Sequence, residues 1–88
     1  MNEAPYEIAI VRSAQKEIRA LDAPARIRVL QSIRLLGLTP RPSGCRKLRA
    51  SNDRWRIRVG GLPVIYSIDD KSRQIDILAA RHRSKAYE

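Results

Sequence analysis

Eighty-eight residues make a single domain, 1–88, and leave no room for a second, because domains usually run to about 100–150 residues. Hydrophobic residues are 43% of the chain, so a modest core is expected without disulfides or metal, and disorder is not. Eighteen Lys and Arg against nine Asp and Glu give a net charge of +9, which suits a polyanionic partner rather than a small acidic substrate.

The chain opens on Met1–Val11, where Glu3 and Glu7 interrupt any charged-then-apolar signal pattern, and nowhere is there an apolar run of about 18 residues. A cytoplasmic protein with no membrane partner is the expectation. Tyr6, Ile8 and Ile10 alternate with Glu7 and Ala9, the period-two pattern of a half-buried strand over about 5–11. Ser13 stands where an N-cap belongs, with Lys16 in place of the acid of a full capping box, and Ala14, Ile18 and Leu21 share one face of the helix that follows. Asp22 before Ala23-Pro24 caps a second helix, whose apolar stripe reads as Ile27, Leu30, Ile33, Leu35 and Leu38 and whose end lies near Gly37. The short joint predicts an antiparallel hairpin whose stripes cover a sheet.

The loop Thr39–Gly44 holds two prolines and a glycine and leads to Cys45, the only cysteine. It cannot form an internal disulfide. With one His in the chain there is no Cys/His metal set, so neither metal nor any other cofactor is expected, and Cys45 is given no role. Trp55, Ile57 and Val59 then alternate with Arg54, Arg56 and Arg58 up to Gly60-Gly61, Leu62–Asp69 reads as a second strand, and Gln74–Ala80 follows the Asp70-Lys71 turn as a third. The fold class is therefore α+β: a strand, a helical hairpin, then a three-stranded antiparallel meander, forming one small sheet covered by two helices.

Fourteen of the cations are Arg, the residue that grips phosphate bidentately, so nucleic acid ranks ahead of an anionic membrane. Arg54, Arg56 and Arg58 fall on one strand face with no acid between them, and three guanidiniums in a row are expected to face water. Such a stripe is either a solvated face or a phosphate-reading one. Repulsion along the strand is relieved by an anionic ligand, which favours the second. The ending Arg81-His82-Arg83-Ser84-Lys85-Ala86-Tyr87 gathers cations, an imidazole and a phenol, the kinds of group that phosphodiester cleavage through a 2′-hydroxyl requires; as a bare composition it also fits a basic tail.

The element order, together with Arg46-Lys47-Leu48-Arg49, Trp55-Arg56-Ile57-Arg58-Val59-Gly60, Val64-Ile65-Tyr66 and the Arg81–Tyr87 ending, resembles the RelE/ParE superfamily of type II toxins over nearly the whole chain. The resemblance implies a small RelE-like toxin neutralised by a cognate acidic antitoxin. RelE-type members cut mRNA in the ribosomal A site, and ParE-type members poison DNA gyrase. The residues that match the RelE-type catalytic set are Arg56, Arg58, Arg81 and Tyr87, with His82 a secondary candidate, and Arg46, Lys47, Arg49, Arg54, Arg83 and Lys85 are candidate RNA and phosphate binders. One departure stands out. Leu62-Pro63-Val64 lacks the Arg of the RelE pattern, so Arg54 or Arg83 would have to replace that cation.

The resemblance thus implies a metal-independent endoribonuclease acting on message at the ribosome by 2′-hydroxyl attack. Gyrase poisoning and a non-catalytic nucleic-acid-binding module are the alternatives. In the first reading Arg56 and Arg58 clamp the scissile phosphate, because Arg stays protonated to about pH 12. Tyr87 is the general base, drawn toward ionisation by its cationic surroundings, and Arg81 stabilises the leaving group.

Overall fold

In the computed structural model, which describes residues 4–49 and 52–82, the chain runs β1 (Glu7–Ile10), α1 (Arg12–Arg19), α2 (Ala23–Leu36), β2 (Arg46–Lys47), β3 (Arg54–Val59), β4 (Leu62–Asp69), β5 (Gln74–Ala80). The five strands form one sheet in the order β1-β5-β4-β3-β2, with β1 parallel to β5 and all other pairs antiparallel. The expected meander is β3-β4-β5, and the short β2 adds an edge that the sequence reading did not anticipate.

The core lies between the helices and one face of the sheet. Ala14 and Ile18 of α1 and Val29, Ile33 and Leu36 of α2 pack on Ile57, Val64, Tyr66, Ile68, Ile75 and Ile77, with Trp55 and Val59 at its margin. Residues 62–66 are all buried, since β4 lies between β3 and β5, and Pro63 is tolerated there for a geometric reason. Its missing N–H faces β5, and β5 ends at Ala80, the partner of Val64, so no ladder bond is forfeited. Gly60 and Gly61 make the β3–β4 turn at φ +59° and +86°, backbone that a side chain would strain.

Two expectations are corrected. Helix α1 is entered from Val11 with no side-chain cap, because the helix begins at Arg12 and Ser13 already lies inside it; Gln15 instead donates its side-chain amide to the Ile10 carbonyl. The stripe chosen for α2 is largely the outer face: Ile27, Leu30, Leu35 and Leu38 are 55%, 41%, 60% and 68% exposed. Only Ile33 of that set is buried, alongside Val29 and Leu36. A helix apolar on both sides satisfies two stripes about equally, and packing chose the other. The Asp22 cap is as expected, its carboxylate accepting from Ala25 N at 2.9 Å with Pro24 in the first turn.

Candidate functional site

Alternation along β3 sends Ile57 into the core and turns Arg54, Arg56 and Arg58 to the sheet face away from the helices. The register places Arg46 of β2 directly opposite Arg56, and Lys47 opposite Trp55. A groove of about 390 Å³ opens there, lined by Ser43, Gly44, Arg46, Arg56, Ile57 and Arg58. Arg58 is exposed as expected, but Arg56 is half-buried, and its Nε is enclosed without a hydrogen-bond partner. A charge facing its like across two strands, with a donor left unsatisfied, is costly in the free protein and becomes favourable when an anion arrives.

The loop 39–45 supplies the groove's rim and is held by a network that the sequence reading missed. Arg41 makes a two-pronged contact with Asp70 at 2.9 and 3.3 Å, its guanidinium lies 5.0 Å from the centre of the Trp55 ring, and Tyr6 donates its hydroxyl to the same carboxylate at 2.6 Å. The Arg41 hydrogen bond, then that of Tyr6, holds the Asp70 carboxyl below its ordinary range, and the bond to Asp70 pushes the Tyr6 phenol up. Beneath the loop the buried Tyr66 donates to the Pro40 carbonyl at 2.8 Å; burial, then the neighbouring Cys45, drives its phenol well above the usual value. No local motif links Arg41 to Asp70, 29 positions away, so only the alternating Trp55 and the turn at Asp70 hinted at partners there.

The remaining candidates lie elsewhere. Arg81 follows the end of β5 and its Nε is 3.4 Å from Glu17 of α1, whose other carboxylate oxygen accepts from Ala80 N at 2.8 Å. Arg81 is thus paired with α1, and it is not among the residues that line the groove. His82 is exposed beside it, and Lys47 and Arg49 are exposed around β2. Arg54 pairs with Ser67 at the opposite end of β3 from Arg58, about 13 Å along the strand, too far to replace the cation absent at Pro63, the partner of Arg58. Tyr87, Arg83 and Lys85 lie outside the described residues. Arg28, absent from the expected set, brings its guanidinium against Gly60 at the β3–β4 turn.

Among the described residues no cluster of His, Cys, Asp and Glu could hold a metal ion, and no helix is long and apolar enough to cross a membrane. The arrangement can hold a phosphate between Arg46, Arg56 and Arg58 and stabilise added negative charge on it.

Residues 8–87 match the family model of the ParE toxin of type II toxin-antitoxin systems, parDE. Among solved structures the chain is similar to the toxin-antitoxin complex RelBE2 of Mycobacterium tuberculosis, with 23% identity, a TM-score of 0.79 and coverage of 90% of this chain and 99% of that one. It is similar also to the archaeal RelE-RelB complex of Pyrococcus horikoshii, with 28% identity, a TM-score of 0.80 and coverage of 92% and 98%. The intact E. coli RelBE complex matches at 21% identity, a TM-score of 0.79 and coverage of 91% and 99%. No curated protein sequence matches significantly.

Proposed function

From the premise that this chain belongs to the ParE toxin family of type II toxin-antitoxin systems, within the RelE/ParE superfamily, we propose that it is a ribosome-dependent endoribonuclease that cuts message in the A site. The observation that supports this reading most is the meeting of Arg46, Arg56 and Arg58 around one groove, with the Arg56 Nε lacking a partner. In the reaction the 2′-hydroxyl oxygen attacks the adjacent phosphorus, the bond to the 5′ oxygen breaks, and a 2′,3′-cyclic phosphate and a 5′-hydroxyl end result. Arg56 and Arg58 hold the phosphate and its developing charge, Arg46 adds a third cation, and Tyr87 takes the 2′-hydroxyl proton. The departing 5′ oxygen takes its proton from water, and Arg81, a permanent cation paired with Glu17, stabilises its charge from a distance. The ribosome supplies in-line placement of the hydroxyl, an orientation effect worth many orders of magnitude, so free RNA is a poor substrate.

Gyrase poisoning is kept as a second reading, because the matching family model is that of ParE toxins and because Arg81 is engaged by α1 rather than turned to the groove. In either case a cognate acidic antitoxin complements the +9 surface, as antitoxins accompany the similar toxins of known structure, and both targets are cytoplasmic. One experiment separates the readings. Purified protein is incubated with a ribosome complex carrying a defined A-site codon, and separately with gyrase and supercoiled plasmid; cut message is the expected result, and trapped plasmid breaks with intact message would overturn the nuclease reading.

A further inference from the structure

Strand β5 outruns its parallel neighbour. Pairing with β1 ends at Ile10 and Ile77, where Val11 N donates to Ile77 O at 3.0 Å and the chain turns into α1, so among the described residues 78–80 have no strand on that side. The β4–β5 register skips Leu78, pairing Tyr66 with Ile77 and Ile65 with Ala79, and such a bulge reverses the side to which the following amides point. Ala80 N is thereby turned toward α1, where Glu17, the only acid in that helix, accepts from it at 2.8 Å through Oε1. The second oxygen, Oε2, lies 3.4 Å from Arg81 Nε. Because the backbone amide pins the carboxylate, its position does not depend on Arg81.

Ala80 packs into the core on the helix side, so the alternation of β5 carried one residue further sends position 81 to the opposite face, where Arg56 and Arg58 stand. The register carried on in the same way puts position 81 opposite Pro63, and Pro63 is the partner of Arg58. Arg58 and Arg81 would then flank Pro63 in one row, two strand spacings or about 10 Å apart, near enough for both guanidiniums to serve one stretch of phosphates. The chain bends at Arg81 instead, and Glu17 takes its guanidinium. We infer that Glu17 is a positioning residue: it holds Arg81 on α1, apart from the basic face, and so limits the cations that grip RNA to Arg46, Arg56 and Arg58. The pair is only partly enclosed, with side chains 45% exposed at Arg81 and 21% at Glu17, so Glu17 restrains affinity by a small factor rather than blocking it. Removing its charge adds a fourth phosphate contact. This inference rests on the reading of the groove as a phosphate site and specifies how that site is restrained.

The test is the salt dependence with which the full chain binds a single-stranded RNA decamer, read by fluorescence anisotropy from about 50 to 200 mM salt. Glu17→Gln keeps an oxygen for Ala80 N and removes the charge that holds Arg81. It is expected to tighten binding about two- to fivefold at the low-salt end and to steepen the log–log slope by about 0.7, the share of one phosphate contact. Glu17→Gln combined with Arg81→Ala is expected to return to the wild-type slope, and Glu7→Gln, which removes an exposed acid from β1, to leave it unchanged. A slope that stays steep in the double variant, or steepens equally with Glu7→Gln, reports net charge alone and overturns the inference, as does an unchanged slope in Glu17→Gln. Side-chain NMR of the wild type needs no variant to fold: the Arg56 and Arg58 Nε–H signals are expected to shift when the decamer is added while that of Arg81 stays, and a matching Arg81 shift overturns the inference. A flat salt dependence in the wild type and in Glu17→Gln overturns it together with the phosphate reading of the groove. A slope change that the double variant abolishes supports it even where the wild type leaves ribosome-bound message intact, a result that sinks the nuclease reading alone.

Discussion

Arg56 shows what a cation proposed to bind phosphate costs its own fold. It faces Arg46 across the β2–β3 pair, it is half-buried, and its Nε has no partner. Replacing it with an apolar residue of similar reach removes a like-charge pair and an unsatisfied donor together. Arg56→Leu is therefore expected to raise the urea midpoint, with a gain of about 1 kcal/mol, while message cleavage falls at least a hundredfold. Loss of stability together with normal cleavage would show Arg56 to be a structural residue. Tyr66 makes the opposite case, a polar group satisfied in the core. Its hydroxyl bonds Pro40 O, and burial keeps the phenol protonated beyond its ordinary value near 10. The unfolded phenol ionises first, so the contribution is whole below about pH 10 and is lost as pH rises above it. Tyr66→Phe is expected to cost about 1 kcal/mol at pH 7 and to flatten part of the alkaline fall in stability, measured by denaturant melts from pH 8 to pH 11.

At the scale of elements, α2 carries two apolar faces with different fates. Val29, Ile33 and Leu36 are nearly inaccessible, whereas Ile27 and Leu30 remain about half exposed. Truncation reads the difference directly. Ile33→Ala is expected to cost about 2–4 kcal/mol by loss of transfer energy and an incompletely filled cavity. Ile27→Ala and Leu30→Ala are each expected to change stability by no more than about 0.5 kcal/mol, as surface substitutions do. Thermal melts of the three variants check the assignment; a large loss at Leu30 would mean that its face is packed. The loop 39–45 depends on neighbouring elements in the same way. Arg41 fastens it to the β4–β5 turn through Asp70 and to β3 through Trp55, and Tyr66 fastens it from below, so a segment with two prolines and a glycine is tied at three points where it brings Ser43 and Gly44 to the groove.

For the whole molecule the decisive quantity is where the charge sits. Residues 45–88 carry eleven of the eighteen cations, and three of them surround one groove. If those three each neutralise one phosphate, RNA affinity falls with a log–log salt slope of about −2, roughly twentyfold between 50 and 200 mM. Arg58→Ala is expected to lower the slope's magnitude by about 0.7 and to leave sequence preference unchanged, because phosphate contacts position without reading bases. Fluorescence anisotropy with a single-stranded RNA across that salt range measures both quantities. A flat salt dependence would remove the groove from RNA binding altogether.

Sequence by itself determined the elements whose signals are local. The alternation in 54–59, 62–69 and 74–80 set the meander, the Asp22-Ala23-Pro24 cap set the start of α2, and the glycine pair set the β3–β4 turn, because period-two burial and turn chemistry act between near neighbours. The same alternation put Arg54, Arg56 and Arg58 on one strand face, opposite the buried Ile57. Tertiary structure alone decided which face of α2 is buried, since two apolar stripes on one helix are equivalent until a sheet packs against one of them. It alone decided that Arg46 stands opposite Arg56, that Arg81 is claimed by Glu17 rather than turned to the groove, and that Arg41 reaches Asp70. Each of these is a meeting of residues distant in the chain, governed by strand register and packing, and no local pattern encodes the partner.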